Sequence, residues 1–272
     1  MISVMINGLP GNVAKNLISH TISDARFKLV PFSLTGPDTK EDSINVDGVE
    51  IGLLKPENRD EKIKRIKKDY GNFIAIDYTH PTAVNSNGEF YARHSIDFLM
   101  GTTGGDREKL FKDVEQSSIC AVIAPNMAKQ IVGFQAMMEY AADTFPNLFK
   151  NYSLKIKESH QKGKADTSGT AKAMVTYFNK LGLDFKADDI IMEREPENQR
   201  MMGIPEDHIK GHAWHTYTLV SNDETVKFEF THNINGRDIY STGTLDAVEF
   251  LSGKLGKGLK GKIFSMIDVL KG

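Results

Sequence analysis

The sequence predicts an α/β protein in two parts: a doubly wound half built on a parallel sheet, and a smaller α+β half with a mixed or antiparallel sheet. Three observations lead there. Over the first half of the chain, β-branched apolar runs alternate with helix-patterned segments, the rhythm of βαβ units. From residue 128 the texture changes to a Met-rich helix pattern and then to alternating strands. From residue 241 a helix pattern returns, so residues 1–127 with 241–272 are expected to form one domain and residues 128–240 the other.

Composition bounds the function. The 272 residues are 40% hydrophobic and 26% charged, ordinary for a globular protein with room for two cores. A formal net charge of -2 gives no reason to expect a nucleic-acid partner. Cys120 is the single cysteine, which excludes an internal disulfide, and its apolar run reads as a buried strand. No apolar stretch is long enough to cross a bilayer as a helix. The N-terminus enters a strand pattern without a basic leader. A cytoplasmic protein is expected, or a plastid one if a transit peptide has been removed.

The first element, Ile2 to Asn7, is apolar and β-branched and runs into Gly8-Leu9-Pro10-Gly11-Asn12-Val13, where a helix begins. Strand, glycine turn and helix are the setting of a dinucleotide fingerprint: Gly8 permits the tight turn and Gly11 close approach to a pyrophosphate. The middle glycine is replaced by Leu9-Pro10, so the motif alone is weak. A second strand is expected from Phe27 to Phe32, followed by Ser33-Leu34-Thr35-Gly36. No carboxylate stands at its tip to hold a ribose 2′-hydroxyl, which leans the cofactor toward NADPH over NADH.

Residues 55–70 read as a charged amphipathic helix on Ile63 and Ile66. Asn72 to Asp77 is a buried-type strand ending in Tyr78-Thr79-His80, and Val84 to Tyr91 has helix or loop character. Phe98-Leu99-Met100 leads into Gly101-Thr102-Thr103-Gly104, and Ala121 to Ala124 into Pro125-Asn126-Met127. Ligands of doubly wound sheets bind outside the carboxyl ends of the strands. These strand ends, with the glycine turn, together favour a Rossmann-like dinucleotide-binding domain.

In the second half, a helix from Ala128 to Phe145 precedes a strand from Tyr152 to Lys157. That strand delivers the most informative segment, Glu-Ser-His-Gln-Lys-Gly-Lys-Ala-Asp-Thr-Ser-Gly-Thr-Ala at 158–171. His160 and Lys164 bring an imidazole and an ammonium. Ser168, Gly169 and Thr170 open a helix whose first N–H groups are unpaired and suit a carboxylate. The residues fit either a site for a small acidic substrate or a polar loop before an ordinary helix. Trp214 to Leu219 and Val226 to Phe230 read as antiparallel strands. His208, His212 and His215 have metal-like spacing, but the context spoils a shared face and no metal is expected. Arg237 fits a substrate carboxylate or a surface acid equally well. The tract from Gly253 to Lys262 reads as a packed loop, and the apolar tail Ile263 to Leu270 as a segment packing back on the first domain.

Taken together, Gly8-Leu9-Pro10-Gly11, Asp77-Tyr78-Thr79, Gly101-Thr102-Thr103-Gly104, Ala124-Pro125-Asn126-Met127 and the 158–171 segment resemble the 4-hydroxy-tetrahydrodipicolinate reductase family, nearly end to end. Gln161 stands where the common bacterial pattern has a second histidine, and the run before Ser168 is one residue shorter. These departures, with Gly-His-Ala-Trp-His at 211–215, resemble the plant-type branch.

The resemblance implies reduction of a cyclic dicarboxylate by NADPH or NADH in the diaminopimelate route to lysine. Gly8 to Val13, Ser33, Thr35, Gly101 to Thr103 and Pro125 to Met127 would bind the cofactor. His160 would donate the proton, Lys164 would steady the developing charge, and Gln161, Ser168, Gly169 and Thr170 would hold the substrate. It further implies a hinged substrate domain and a homo-oligomer, dimer or tetramer. The alternatives are a related dehydrogenase acting on another small acid and a non-catalytic dinucleotide sensor.

Overall fold

The computed structural model describes residues 1–272. Six strands form an all-parallel sheet: β1 (Ile2–Asn7), β2 (Phe27–Leu29), β6 (Ile74–Asp77), β7 (Phe98–Met100), β8 (Cys120–Ile123) and β13 (Lys262–Phe264). Their spatial order is β13-β8-β7-β6-β1-β2, so the order reverses beside β1. Strand alternation sorts the apolar side chains into two cores. Val4, Ile6, Ile76, Leu99 and Val122 face one way, toward helices α1 (Asn12–Ser23) and α8 (Asp238–Leu255). Met5, Ala75, Phe98, Met100 and Ala121 face the other, where α2 (Arg59–Tyr70), α3 (Val84–Arg93) and α4 (Arg107–Glu115) bring Ile63, Ile66, Phe90, Tyr91 and Leu110. Cys120 lies fully buried among these apolar residues.

The expected strand from Phe27 to Phe32 is two strands. β2 belongs to the large sheet, whereas β3 (Phe32–Leu34) pairs in parallel with β5 (Val49–Leu54) in a separate three-stranded sheet. Pro31 causes the break, because it has no N–H to give to a continuing ladder. β4 (Ser43–Val46) completes the small sheet as a hairpin with β5. Asp47 and Gly48 take positive φ (50° and 84°) at its turn, the conformation a tight two-residue hairpin needs. The tract read as a loop from Gly253 is helical as far as Leu255, the end of α8. The tail does more than pack: β13 extends the large sheet by parallel pairing with β8, and α9 (Met266–Lys271) follows through a Ser265/Asp268 capping box.

Contacts divide the chain into Met1–Val132 with Asp238–Gly272, and Gly133–Arg237. The second unit has a mixed sheet of β9 (Tyr152–His160), β10 (Ile191–Glu193), β11 (His212–Ser221) and β12 (Lys227–Asn235), ordered β10-β9-β11-β12. β10 is parallel to β9; the other pairs are antiparallel. Ile156, Tyr217 and Leu219 pack against Met138 and Ala142 of α5 (Lys129–Thr144) and Met174, Val175 and Phe178 of α6 (Gly169–Lys180). Leu154 and Ile156 alternate along β9 into Glu158 and His160. The stripe that is core at one end of the strand therefore becomes polar at the other, next to the start of α6.

Candidate functional site

The glycine turn is fixed by its surroundings. Gly8 has φ +115°, and a Cβ there would collide with the Tyr78 carbonyl. Its N–H donates to Leu34 O (3.0 Å), and the Gly11 N–H donates back to Gly8 O (2.9 Å). A Cβ on Gly11 would stand 2.8 Å from that same oxygen. Gly11 caps α1 without a side chain, leaving the first-turn N–H groups open to an anion. A cleft of about 590 Å³ opens beside the turn, lined by Gly8 to Gly11, Thr35 to Pro37, Arg59 and Tyr78 to His80. No carboxylate lines it. A glycine cradle at a helix start beside the sheet's reversal point fits a dinucleotide, its pyrophosphate on the N-terminus of α1.

Along the same sheet edge lies a buried knot around Asp77, which is fully enclosed. Its Oδ1 accepts from Thr79 N–H (3.1 Å), Thr79 Oγ1 (2.8 Å) and Thr102 Oγ1 (2.7 Å). Its Oδ2 accepts from Tyr91 OH (2.7 Å) and Asn87 Nδ2 (2.9 Å). Five donors satisfy the carboxylate and tie the ends of β6 and β7 to α3. Gly101 is needed there because a side chain would strike the Tyr78 ring.

The structure separates the expected cofactor residues. Gly8, Leu9, Pro10, Gly11 and Thr35 line the cleft; Asn12 and Val13 begin α1 beside it. Gly101, Thr102 and Thr103, and Pro125 and Asn126, follow β7 and β8 along the edge but not in that cleft. Ser33 and Met127, both expected at the cofactor, have buried side chains. Ser33 is fully buried, with its hydroxyl accepting from Leu9 N–H (3.3 Å), so it shapes the turn from beneath. Met127 is 1% exposed in the core, and its carbonyl abuts Gly243 of α8. Arg59 was missed. It reaches the cleft while donating to Asn87 Oδ1 (2.7 Å) and Ser86 O (3.1 Å), and its charged run reads only as a solvated helix face.

In the second unit, the antiparallel register sets His215 of β11 opposite Glu158 of β9, and His232 of β12 opposite His215. His160 is two residues along β9 from Glu158, on the same face. Glu158 is fully buried. Its Oε1 accepts from Arg194 Nη2 (2.7 Å) and its Oε2 from Ser168 N–H (3.0 Å). Oε2 also lies 3.8 Å from His160 Nε2 and 3.6 Å from His215 Nε2. Arg194 Nε donates to Lys164 O (2.9 Å), which fastens the loop after β9. Buried Gln199 donates to His160 O (2.7 Å). Lys164 Nζ pairs with Asp166 Oδ1 at 2.7 Å.

These contacts set the charges. Burial raises the Glu158 carboxyl, but the His215 imidazole, the Arg194 guanidinium and the Ser168 N–H outweigh it and hold the group at about 2. Burial, then His215, pushes the His160 imidazole down to about 4 against an upward pull from Glu158. His160 is therefore neutral at pH 7, and an incoming anion would raise its proton affinity.

Ser168 caps α6, its Oγ accepting from Ala171 N–H at 3.5 Å, while its own N–H is taken by Glu158. Of the expected carboxylate cradle, the first-turn groups of Gly169 and Thr170 thus remain for a ligand. The space around Gly169 is open. Gln161 lines a different hollow, with Lys162, Gly163, Arg200 and Glu206. His208, His212 and His215 do not converge: His212 contacts His208 O (3.0 Å) and Ser159 Oγ (2.9 Å). Arg237 lies beside Gly211.

The family models for the dihydrodipicolinate reductase N-terminus and C-terminus match residues 2–127 and 131–270. The chain belongs to the dihydrodipicolinate reductase family. Within this family, the chloroplastic 4-hydroxy-tetrahydrodipicolinate reductase 2 of Arabidopsis thaliana is 45% identical over 271 residues, covering 99% of this chain and 77% of that one. The Methanococcus aeolicus 4-hydroxy-tetrahydrodipicolinate reductase is 25% identical, covering 99% and 98%. A dipicolinate-bound dihydrodipicolinate reductase from a Paenisporosarcina species shares the fold, with a TM-score of 0.67 at 18% identity over 97% of both chains.

Proposed function

We propose that this reductase-family chain converts 4-hydroxy-tetrahydrodipicolinate to tetrahydrodipicolinate with NADPH or NADH, in the diaminopimelate route to lysine. One observation carries the residue roles: a buried imidazole without a hydrogen bond at Nε2, a lysine and an open helix start meet where β9 hands over to α6. A dicarboxylate would place one anionic group on the N–H groups of Gly169 and Thr170, with the Thr170 hydroxyl as a further donor. Its charge would stabilise the His160 imidazolium, which then donates the proton. Lys164 would leave exposed Asp166 for the substrate and steady the charge that develops on the ring. The 4-hydroxyl leaves as water, and the nicotinamide, when bound, would supply the hydride, so that one hydride and one proton are taken up and one water is lost.

Preference for NADPH is supported by the cleft, where Arg59 is present and no carboxylate opposes a 2′-phosphate. A homo-oligomer, dimer or tetramer, is supported by the exposed apolar side chains of the second unit, among them Met137, Tyr140 and Phe228. Its mass in solution tests that. No helix is long and apolar enough to cross a membrane.

The test of the chemistry is NADPH oxidation with freshly made condensation product of pyruvate and aspartate semialdehyde. His160→Gln and Lys164→Ala are each expected to lower kcat by about a hundredfold or more, with NADPH affinity unchanged. Near-normal turnover in both variants would refute the assigned roles.

A further inference from the structure

We propose that Glu158, His160 and His215 form a binding site for one divalent transition-metal ion, with Zn²⁺ as the probe. The ligands would be the Glu158 carboxylate through Oε2 and the two imidazoles through Nε2. One ligand atom from each of the three residues lies within 4.8 Å of the other two, and Oε2 is 3.8 Å from His160 Nε2 and 3.6 Å from His215 Nε2. Tetrahedral zinc with bonds of about 2.0–2.1 Å sets its ligand atoms about 3.4 Å apart. The cluster therefore needs only modest closure, by rotation of side chains.

Two further features point to a ligand. Neither His160 Nε2 nor either nitrogen of His215 has a hydrogen-bond partner, although His160 is 8% and His215 2% exposed. Buried polar atoms without partners are uncommon and costly, and one ion would satisfy two of them. The surroundings are also organised as metal sites are, with outer contacts fixing the ligands. Arg194 holds the far carboxylate oxygen, Gln199 holds the His160 backbone, and His232 stacks on His215 with ring centroids 4.6 Å apart. Three protein ligands leave a fourth position for water or an anion. The Arg194 and Lys164 charges lower affinity, so an anionic fourth ligand is favoured.

The site stands apart from the reductase reading; only its consequence rests on it. An ion on His160 Nε2 occupies the lone pair that the proton donor needs, so metal would inhibit turnover.

The experiment is calorimetric titration of the chelator-treated full chain with Zn²⁺, without cofactor or substrate. One ion per chain is expected, with a Kd of about 10 µM or below, weakened at least about tenfold in both His215→Gln and Glu158→Gln. No binding, or undiminished binding in either folded variant, would overturn the site. Because either variant can lose its fold, Co²⁺ is added to the unaltered chain as well. An intense tetrahedral visible spectrum supports the site, and a weak octahedral one overturns it. Full binding with undiminished turnover supports the site and counts instead against His160 as the acid.

Discussion

Glu158→Gln isolates the charge on which the second unit's polar cluster is arranged. The carboxylate is fully buried and pairs at 2.7 Å with Arg194, whose side chain is 14% exposed. Glutamine keeps the shape but removes the counter-charge, and it sets an amide donor among donors. Removing one partner of a buried ion pair costs about 3–5 kcal/mol. Arg194 keeps its contacts to the carbonyls of Lys164 and Glu193, so the lower end applies, about 3 kcal/mol. For a protein of this size that corresponds to a melting point lower by roughly 6–12 °C. Calorimetry at neutral pH reads it directly. The same change removes the upward pull of Glu158 on His160, so the imidazole should protonate below about 4 in an NMR titration. A loss under about 1 kcal/mol, with His160 titrating as before, would refute the claim that this carboxylate organises the cluster.

Acid should weaken the fold in two stages. His160 and His232 are each lowered to about 4 from 6.5, chiefly by burial. The unfolded chain then binds more protons between those values, and stability falls as pH drops from 6.5 toward 4. Glu158, lowered to about 2 from 4.5, extends the loss below that. Urea unfolding across this range checks both stages; a flat profile from pH 7 to 4 would contradict the neutral buried imidazoles. Gly8→Ala places a methyl against the Tyr78 carbonyl at φ +115°. It should cost about 1–3 kcal/mol of stability and weaken NADPH binding about tenfold or more, measured by fluorescence. Unchanged NADPH affinity would dissociate the turn from the cofactor site.

What could be read from the sequence was whatever is local in the chain. Gly8 to Gly11 follow a strand and precede a helix, and His160, Lys164, Gly169 and Thr170 sit within one short segment, so the candidate groupings are visible before folding. The break at Pro31 was legible in principle, since a proline cannot donate to a ladder. So was the β4/β5 turn, from Asp47-Gly48. Arg194 and Gln199 gave no such signal: an Arg between two glutamates looks like surface. His215 pointed the wrong way, toward its neighbours in sequence. Its true partners are set by the register between β9 and β11, which alternation alone does not fix.

The placement of β13 and α8 has a consequence for the nascent chain. Residues 133–237 emerge from the ribosome before the strand that covers β8 and the helix that lies over Leu99 and Val122 exist. The inserted half can finish its core early, while the other waits with a bare strand edge and an uncovered apolar layer. Its greatest exposure to misassociation therefore falls in the interval between completion of the inserted half and arrival of α8 and β13, and that is when chaperone protection would matter most.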